Sequence, residues 1–139
     1  VVITTYLSAA ILGAQALPQG HFTHIFLDES GQGTEPEIMV PNANIANAET
    51  TVVLAGDPQQ LGPIAHSHIA EKFGLGKAYL DWFSDLFIYS LDGDNEQFVT
   101  KLVQNYHSHP AILELTSRLF YGSELVACAA HYVQKLLSA

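Results

Sequence analysis

Carboxylate side chains follow two apolar runs of this sequence within two residues. Asp28 and Glu29 come after residues 24–27, and Asp57 comes after residues 51–55. Adjacent carboxylates can share the work of nucleotide hydrolysis, because one can hold Mg²⁺ through its water shell while the other orients or deprotonates the attacking water. Acidic residues also end strands simply because they are well solvated. The spacing alone supports two interpretations of these residues equally: a hydrolytic site and a solvated strand end.

These carboxylates can meet only if the apolar runs are neighbouring strands of one sheet. Residues 1–5, 24–27 and 51–55 are apolar without alternation, which predicts buried parallel strands. The segment Glu35-Pro36-Glu37 predicts a helix start between the second and third runs, since proline and acidic residues favour the first helical turn. Strand, helix and strand at this spacing form a βαβ unit, and open α/β sheets bind ligands at the carboxyl ends of their strands. The predicted fold class is therefore α/β.

The second half of the chain predicts further helices and a domain boundary. Residues 78–90 have helical spacing, with Leu80, Phe83 and Phe87 on one face. Residues 92–95, Asp-Gly-Asp-Asn, are typical of a turn or linker and form the candidate boundary. Residues 98–103 alternate like a strand. Pro110 opens another helix, whose predicted apolar stripe is Ile112, Leu115, Leu119 and Phe120.

The 139-residue chain is acidic, with five Lys and Arg against fourteen Asp and Glu and a formal charge of −9. This charge argues against a protein that binds nucleic acid mainly through phosphate contacts, so RNA contacts must come from local geometry or from other parts of a longer protein. A single cysteine excludes an internal disulfide. The sequence shows neither a signal-peptide pattern nor an apolar run of membrane-spanning length. We expect a soluble, intracellular chain without membrane contact, truncated at the N-terminus because it begins inside a strand-like run.

Three short strings resemble the ATPase motifs of superfamily 1 helicases. Residues 28–32, Asp-Glu-Ser-Gly-Gln, resemble the Walker B motif, and residues 56–63, Gly-Asp-Pro-Gln-Gln-Leu-Gly-Pro, resemble motif III. Residues 105–110, Asn-Tyr-His-Ser-His-Pro, resemble motif IV, and the order and spacing of the strings also fit. The segments that flank these strings are residues 22–26, 34–37 and 119–125. They resemble the Upf-like branch of these helicases and, within it, the Moloney/Armitage group of RNA-silencing helicases.

The resemblance implies a RecA-like P-loop NTPase fold with a parallel sheet. Residues 1–94 would be the C-terminal part of the first motor domain, without its phosphate-binding loop, and residues 95–139 would begin the second. By the same resemblance, residues 1–5 and the loop after them would touch the RNA backbone.

The resemblance also implies roles for individual residues. Asp28 would bind the Mg²⁺ of ATP through water, and Glu29 would activate the hydrolytic water. Gln60 would sense the γ-phosphate. Asp57 would support the Gln60 loop, and Gln32 would support the same nucleotide edge.

The implied activity is ATP-dependent unwinding of RNA or translocation along it, with ATP and Mg²⁺ as cofactors. RNA is the expected partner, together with RNA-silencing proteins such as Argonaute-family proteins. We expect a monomer in the cytoplasm, with ribonucleoprotein granules as one location.

The sequence departs from the helicase pattern at several points. His107 stands where the family has an arginine near the γ-phosphate, and a neutral imidazole cannot hold phosphate oxygens bidentately. Ser30 replaces the usual alanine, which we interpret as a small change. No Gly-x-x-x-x-Gly-Lys-Ser/Thr string is present, so we expect the isolated chain not to turn over ATP at a useful rate.

Two other functions stay open at this point. A different metal-dependent phosphohydrolase could use Asp28, Glu29 and Asp57, since such enzymes also gather carboxylates at a sheet edge. A degenerate helicase paralogue could bind RNA or proteins without hydrolysis, and His107 favours it. The His-Ser-His triplets at residues 66–68 and 107–109 are interpreted as surface or helix-capping histidines, with a zinc site as the alternative.

Overall fold

The computed structural model describes residues 1–15, 17–89 and 97–128. The chain divides into two compact units, Val1–Asn95 and Glu96–Ala139. The turn or linker predicted at residues 92–95 lies outside the described residues. Within the described ranges, no helix combines the length and the apolar character needed to cross a membrane.

The first unit is built around a βαβ arrangement. Strand β1 (His24–Leu27) pairs in parallel with β2 (Thr51–Leu54), with His24 opposite Thr51 and Leu27 opposite Leu54. Helix α2 (Glu35–Ile45) connects the two strands, and helix α1 (Ala9–Ala14) precedes β1. The predicted α/β class and the βαβ unit are confirmed, although β2 ends one residue before the predicted run. The unit continues with α3 (His68–Lys72), α4 (Tyr79–Ser84) and a 3₁₀ helix, Phe87–Tyr89.

Helix α2 begins at Glu35, as residues 35–37 predict, and the structure adds a capping box at Thr34. Thr34 has extended backbone, and the Glu37 carboxylate accepts hydrogen bonds from the Thr34 N–H (3.0 Å) and hydroxyl (2.8 Å). This pair satisfies polar groups that a helix start otherwise leaves without partners. The cap therefore fixes where the loop after β1 ends and where α2 starts.

The core of the first unit lies against the inner face of β1. Ile25 and Leu27 alternate inward along the strand and pack with Ile38 and Ile45 of α2. The flanking residues of this cluster are partly buried and comprise Tyr6, Leu12, Phe22, Ala46, Leu54 and Tyr79. Because Leu27 is only 2% exposed, the carboxyl end of β1 is anchored directly before Asp28.

Residues 1–5 do not form the predicted strand. Within the described residues, β1 and β2 pair only with each other, and Val1 and Ile3 are exposed. An apolar run becomes a strand only where a neighbouring strand supplies hydrogen-bond partners, and the strands of the described residues do not supply them to residues 1–5. The prediction of a third strand in this sheet was therefore wrong for the described structure.

The single helix predicted at residues 78–90 is also corrected. Helix α4 ends at Ser84, and a separate 3₁₀ turn follows at Phe87–Tyr89. The Ser84 hydroxyl donates a 3.0 Å hydrogen bond to the Leu80 carbonyl, a local contact that competes with the helical ladder. Apolar periodicity alone did not reveal this interruption.

The second unit pairs two short parallel strands around one helix. Strand β3 (Gln104–Asn105) pairs with β4 (Val126–Ala127), and α5 (Pro110–Phe120) connects them. The strand predicted at residues 98–103 was wrong, because the ladder with β4 pairs only residues 104 and 105. The helix start at Pro110 is confirmed, and His109 caps it by accepting a 3.2 Å hydrogen bond from the Ala111 N–H.

The predicted apolar stripe of α5 is not its buried face. The four stripe residues are between 53% and 61% exposed, whereas Leu113 and Ser117 are buried. The Ser117 hydroxyl oxygen accepts a 3.1 Å hydrogen bond from the Leu125 N–H, and the Ser117 carbonyl accepts one of 2.9 Å from the Ser123 N–H. The chain after α5 thus returns along the Ser117 face. The spacing of apolar residues identified the helix, but it did not show which face of the helix the following segment of the chain covers.

Candidate functional site

The two acidic strings of the first unit meet at the carboxyl ends of β1 and β2. Ser30 connects them, since its N–H and its hydroxyl both donate to the Ala55 carbonyl, at 2.8 and 2.9 Å. Ser30 is fully buried. The predicted convergence of the two strand ends at one sheet edge is therefore observed. The hydroxyl that distinguishes Ser30 from alanine makes one of the connecting bonds, which the sequence analysis treated as a small change.

Glycines allow the two strand ends to approach closely. A Cβ at Gly31 would lie 2.9 Å from the Asp57 carbonyl oxygen, and a Cβ at Gly56 would lie 2.8 Å from the Gly31 nitrogen. Real Cβ atoms essentially never come so close to backbone atoms. Gly31 and Gly56 are therefore required because the two strand ends pass so close to each other, and not because a turn needs a left-handed backbone.

Glu29 occupies an uncommon backbone conformation between the strand and the connecting serine. Its φ is +55°, in the left-handed region that residues with a Cβ rarely adopt. Its N–H donates to Asp28 Oδ1 at 3.1 Å, and its Oε2 accepts from Gln32 Nε2 at 3.2 Å. The predicted supporting residue Gln32 thus contacts the predicted base directly.

Tyr6 completes the surroundings of the acidic pair. Its hydroxyl donates a hydrogen bond to the main-chain carbonyl of Asp28. Burial raises the pKa of the Tyr6 phenol, and the charges of Asp28 and Glu29 raise it further. The sequence analysis missed this residue, because no spacing rule links a tyrosine in an upstream turn to the end of β1.

Asp57 organises the turn after β2. Its Oδ1 accepts from the Gln59 N–H at 2.9 Å, and its Oδ2 accepts from Gln60 Nε2 at 3.1 Å. The Gln60 N–H also donates to the Asp57 carbonyl, at 3.2 Å. Asp57 therefore holds the backbone of this turn and the Gln60 side chain together, which matches a supporting role for the aspartate.

Two open grooves border these residues. The acidic groove, about 480 Å³, lies beside Glu29 and is lined by Thr5, Tyr6, Leu7, Glu29, Gln32, Gly33 and Glu37. The amide groove, about 1000 Å³, is lined by Gln32, Thr34, Glu37, Gln59, Gln60, Leu61, Gly62, Pro63 and Ile64. Gln32 and Glu37 line both grooves. Gln32 thus stands between the Glu29 side of the site and the Gln60 side.

The donor set fits a cation that keeps most of its water shell. Asp28 is exposed, and its Oδ1 is engaged by the Glu29 N–H. In the described ranges, no group of three or more His, Cys, Asp and Glu side chains is arranged to hold a metal ion. Mg²⁺ is commonly bound by one or two carboxylates together with waters and substrate phosphates rather than by a protein cage. Asp28 therefore suits Mg²⁺ better than an ion that needs several protein ligands.

His107 lies in the second unit, in the loop between β3 and α5. Its N–H and that of Ser108 donate to Asn105 Oδ1, at 3.1 and 2.7 Å, and its side chain is exposed. His68 is exposed too, with Nδ1 3.7 Å from Glu71. Together with the cap formed by His109, these positions agree with surface and capping histidines.

The chain has close relatives among known proteins. Residues 1–68 match the family model of the AAA domain. The chain is 47% identical over 133 residues to mov-10-B.1 of Danio rerio, covering 93% of this chain and 13% of the relative. It is 42% identical over 137 residues to RNA helicase Mov10l1 of Homo sapiens, and this match covers 93% of this chain and 11% of the relative. It is 43% identical over 117 residues to armi of Drosophila melanogaster, and this match covers 78% of this chain and 10% of the relative.

This chain is homologous to the RNA helicases of the Mov10 and Armitage group. The matches extend over most of the chain. AAA domains are P-loop NTPases, which agrees with the parallel βαβ arrangement of the first unit. The chain spans only 10% to 13% of the length of these helicases, so it corresponds to a small section of each.

Proposed function

We propose that this chain is a section of an ATP-dependent RNA helicase. In this proposal, the first unit is the C-terminal part of one RecA-like motor domain, and the second unit begins the next. The observation that carries the proposal is the meeting of the acidic pair and the Asp57–Gln60 turn at one sheet edge, joined by the bonds of Ser30 to Ala55. Homology to named RNA helicases supports it independently.

Each side chain of the site has a role that suits its surroundings. Asp28, exposed at the end of β1, would hold the Mg²⁺ that accompanies ATP. Glu29, on the wall of the acidic groove, would accept a proton from the attacking water. Gln60, held by Asp57, would respond to the γ-phosphate, and Gln32 would link its movement to Glu29. Bound Mg²⁺·ATP would supply the reactive phosphate and the charge that these groups orient.

RNA is the proposed partner, in RNA silencing or mRNA turnover. Because the chain carries a formal charge of −9, RNA contacts would depend on local geometry and on other parts of the longer protein. We further propose that the protein is a cytoplasmic monomer and that it works with Argonaute-family proteins.

A non-hydrolysing paralogue is the second candidate, and His107 favours it. An exposed imidazole replaces the guanidinium that would hold phosphate oxygens. A phosphohydrolase that uses two metal ions is not favoured, because the described residues offer no cluster of three or more metal-binding side chains.

Steady-state ATPase and strand-displacement assays of the full-length protein separate the first two functions. A helicase should hydrolyse ATP faster with single-stranded RNA than without it, and should displace a labelled RNA strand only when ATP is present. An RNA-binding paralogue should bind the same RNA but hydrolyse no ATP under either condition. That second result would overturn the proposed function.

A further inference from the structure

A tyrosine outside the three helicase-like strings holds the peptide between the two acidic residues. Tyr6 lies in the turn before α1, and its hydroxyl bonds to the Asp28 carbonyl. We propose that Tyr6 is a positioning residue that, through this carbonyl, keeps Glu29 in the conformation that places its carboxylate on the acidic groove. This inference rests on the proposed function, since it takes Glu29 to be the hydrolytic base.

The backbone of Glu29 needs such support. A φ of +55° is sparsely populated by residues that carry a Cβ, because the side chain crowds the neighbouring carbonyl oxygen. Such conformations persist where the surrounding structure fixes them. A free Glu29 would relax toward an ordinary conformation, and its carboxylate would leave its place beside Gln32.

Contacts on both sides of Glu29 fix this conformation. The peptide before it is held by the Tyr6 hydroxyl at the Asp28 carbonyl and by the Glu29 N–H at Asp28 Oδ1. The peptide after it is held by the Ser30 N–H, which donates to the Ala55 carbonyl at 2.8 Å. Of these anchors, Tyr6 is the one that comes from outside the two strand ends. Removing it should loosen Glu29 while the sheet remains intact.

The body of Tyr6 makes it a firm anchor. Its ring packs beside the core cluster that contains Leu27 and Ile38, and the Gly33 position lies against its edge, with a Cβ there 3.3 Å from Tyr6 Cε2. Because the ring is held by this packing, the hydroxyl is kept in place at the Asp28 carbonyl.

Tyr6→Phe removes only the hydroxyl, and Tyr79→Phe is the matched control. Tyr79 packs against the same core cluster, and its pKa is also raised, mainly by burial. Its hydroxyl donates to Met39 Sδ at 3.4 Å, and its electrostatic neighbours are Glu35 and Asn42 rather than Asp28 and Glu29. In the full-length protein with saturating RNA, we expect Tyr6→Phe to lower kcat by about two- to tenfold, as expected for one lost hydrogen bond, with KM for ATP unchanged. We expect Tyr79→Phe to leave both constants unchanged and the melting temperatures of the two variants to be similar.

A cycle with Glu29→Gln tests whether Tyr6 acts through Glu29. Residues that act as one unit have non-additive effects, so adding Tyr6→Phe to Glu29→Gln should produce no further fall in rate. A further fall of the same factor, or an equal loss of kcat in Tyr79→Phe, would overturn the inference. Wild-type kcat in Tyr6→Phe, with Glu29→Gln inactive, would also overturn it and leave the proposed function standing. Wild-type turnover in Glu29→Gln would instead contradict the proposed function itself.

Discussion

Replacing Gly31 by alanine should force the two strand ends apart. The new Cβ would lie 2.9 Å from the Asp57 oxygen, 3.4 Å from its carbonyl carbon and 3.5 Å from its nitrogen. All three are backbone atoms, so no side-chain rotation can relieve the contact and the turn after β2 must move. Overpacking of this kind costs about 1–3 kcal/mol. The unfolding transition that includes this sheet should therefore shift to lower temperature.

Gly76→Ala is the control for this experiment. Its Cβ would meet the nearest atom, Glu71 Cγ, at 3.6 Å, an ordinary contact, and neither glycine has a left-handed backbone. We expect Gly76→Ala to leave the melting temperature unchanged or to raise it slightly, because alanine restricts the unfolded chain. Thermal unfolding and ATPase rates of both variants in the full-length protein provide the assay, and only Gly31→Ala should lose stability and turnover. Equal melting temperatures and equal rates would refute the close contact between the strings.

Two further predictions concern ATP turnover. The isolated 139-residue chain should show negligible ATPase activity, because it contains no phosphate-binding loop; hydrolysis faster than that of its Glu29→Gln variant would contradict this. In the full-length protein, His107→Arg should raise the ATPase rate or tighten ATP binding, since the helicase resemblance implies an arginine at this position near the γ-phosphate, where a permanent charge would stabilise the transition state. Steady-state ATPase rates of the two full-length proteins with saturating RNA provide the measurement, and equal rates with equal ATP affinities would show that the arginine role does not belong to residue 107.

Much of the central architecture could be predicted from local patterns. The apolar runs before Asp28 and Asp57 predicted the paired strands, and residues 35–37 predicted the start of α2, because buried strands and first helical turns leave local signatures. The meeting of the two strings then followed from parallel pairing.

The rest depends on contacts that no local pattern encodes. Residues 1–5 look like a strand, but pairing needs a partner elsewhere in the structure. The stripe on α5 has a helical period, yet the return of the chain to Ser117 decided which face is buried. The hydrogen bond from Tyr6 to Asp28 joins residues 22 positions apart, so only the folded chain reveals it.

The turnover number of full-length Glu29→Gln tests the central claim most directly. Gln is nearly isosteric with Glu but cannot accept a proton from water. At saturating ATP and RNA, turnover should fall by about 10²–10⁴-fold while ATP binding persists. Glu49→Gln is the matched control, because Glu49 is an exposed acid in the turn before β2, at the opposite end of that strand from Asp57. We predict that Glu49→Gln turns over like the wild type. Wild-type turnover in Glu29→Gln would contradict the assignment of Glu29 as the base at this sheet edge.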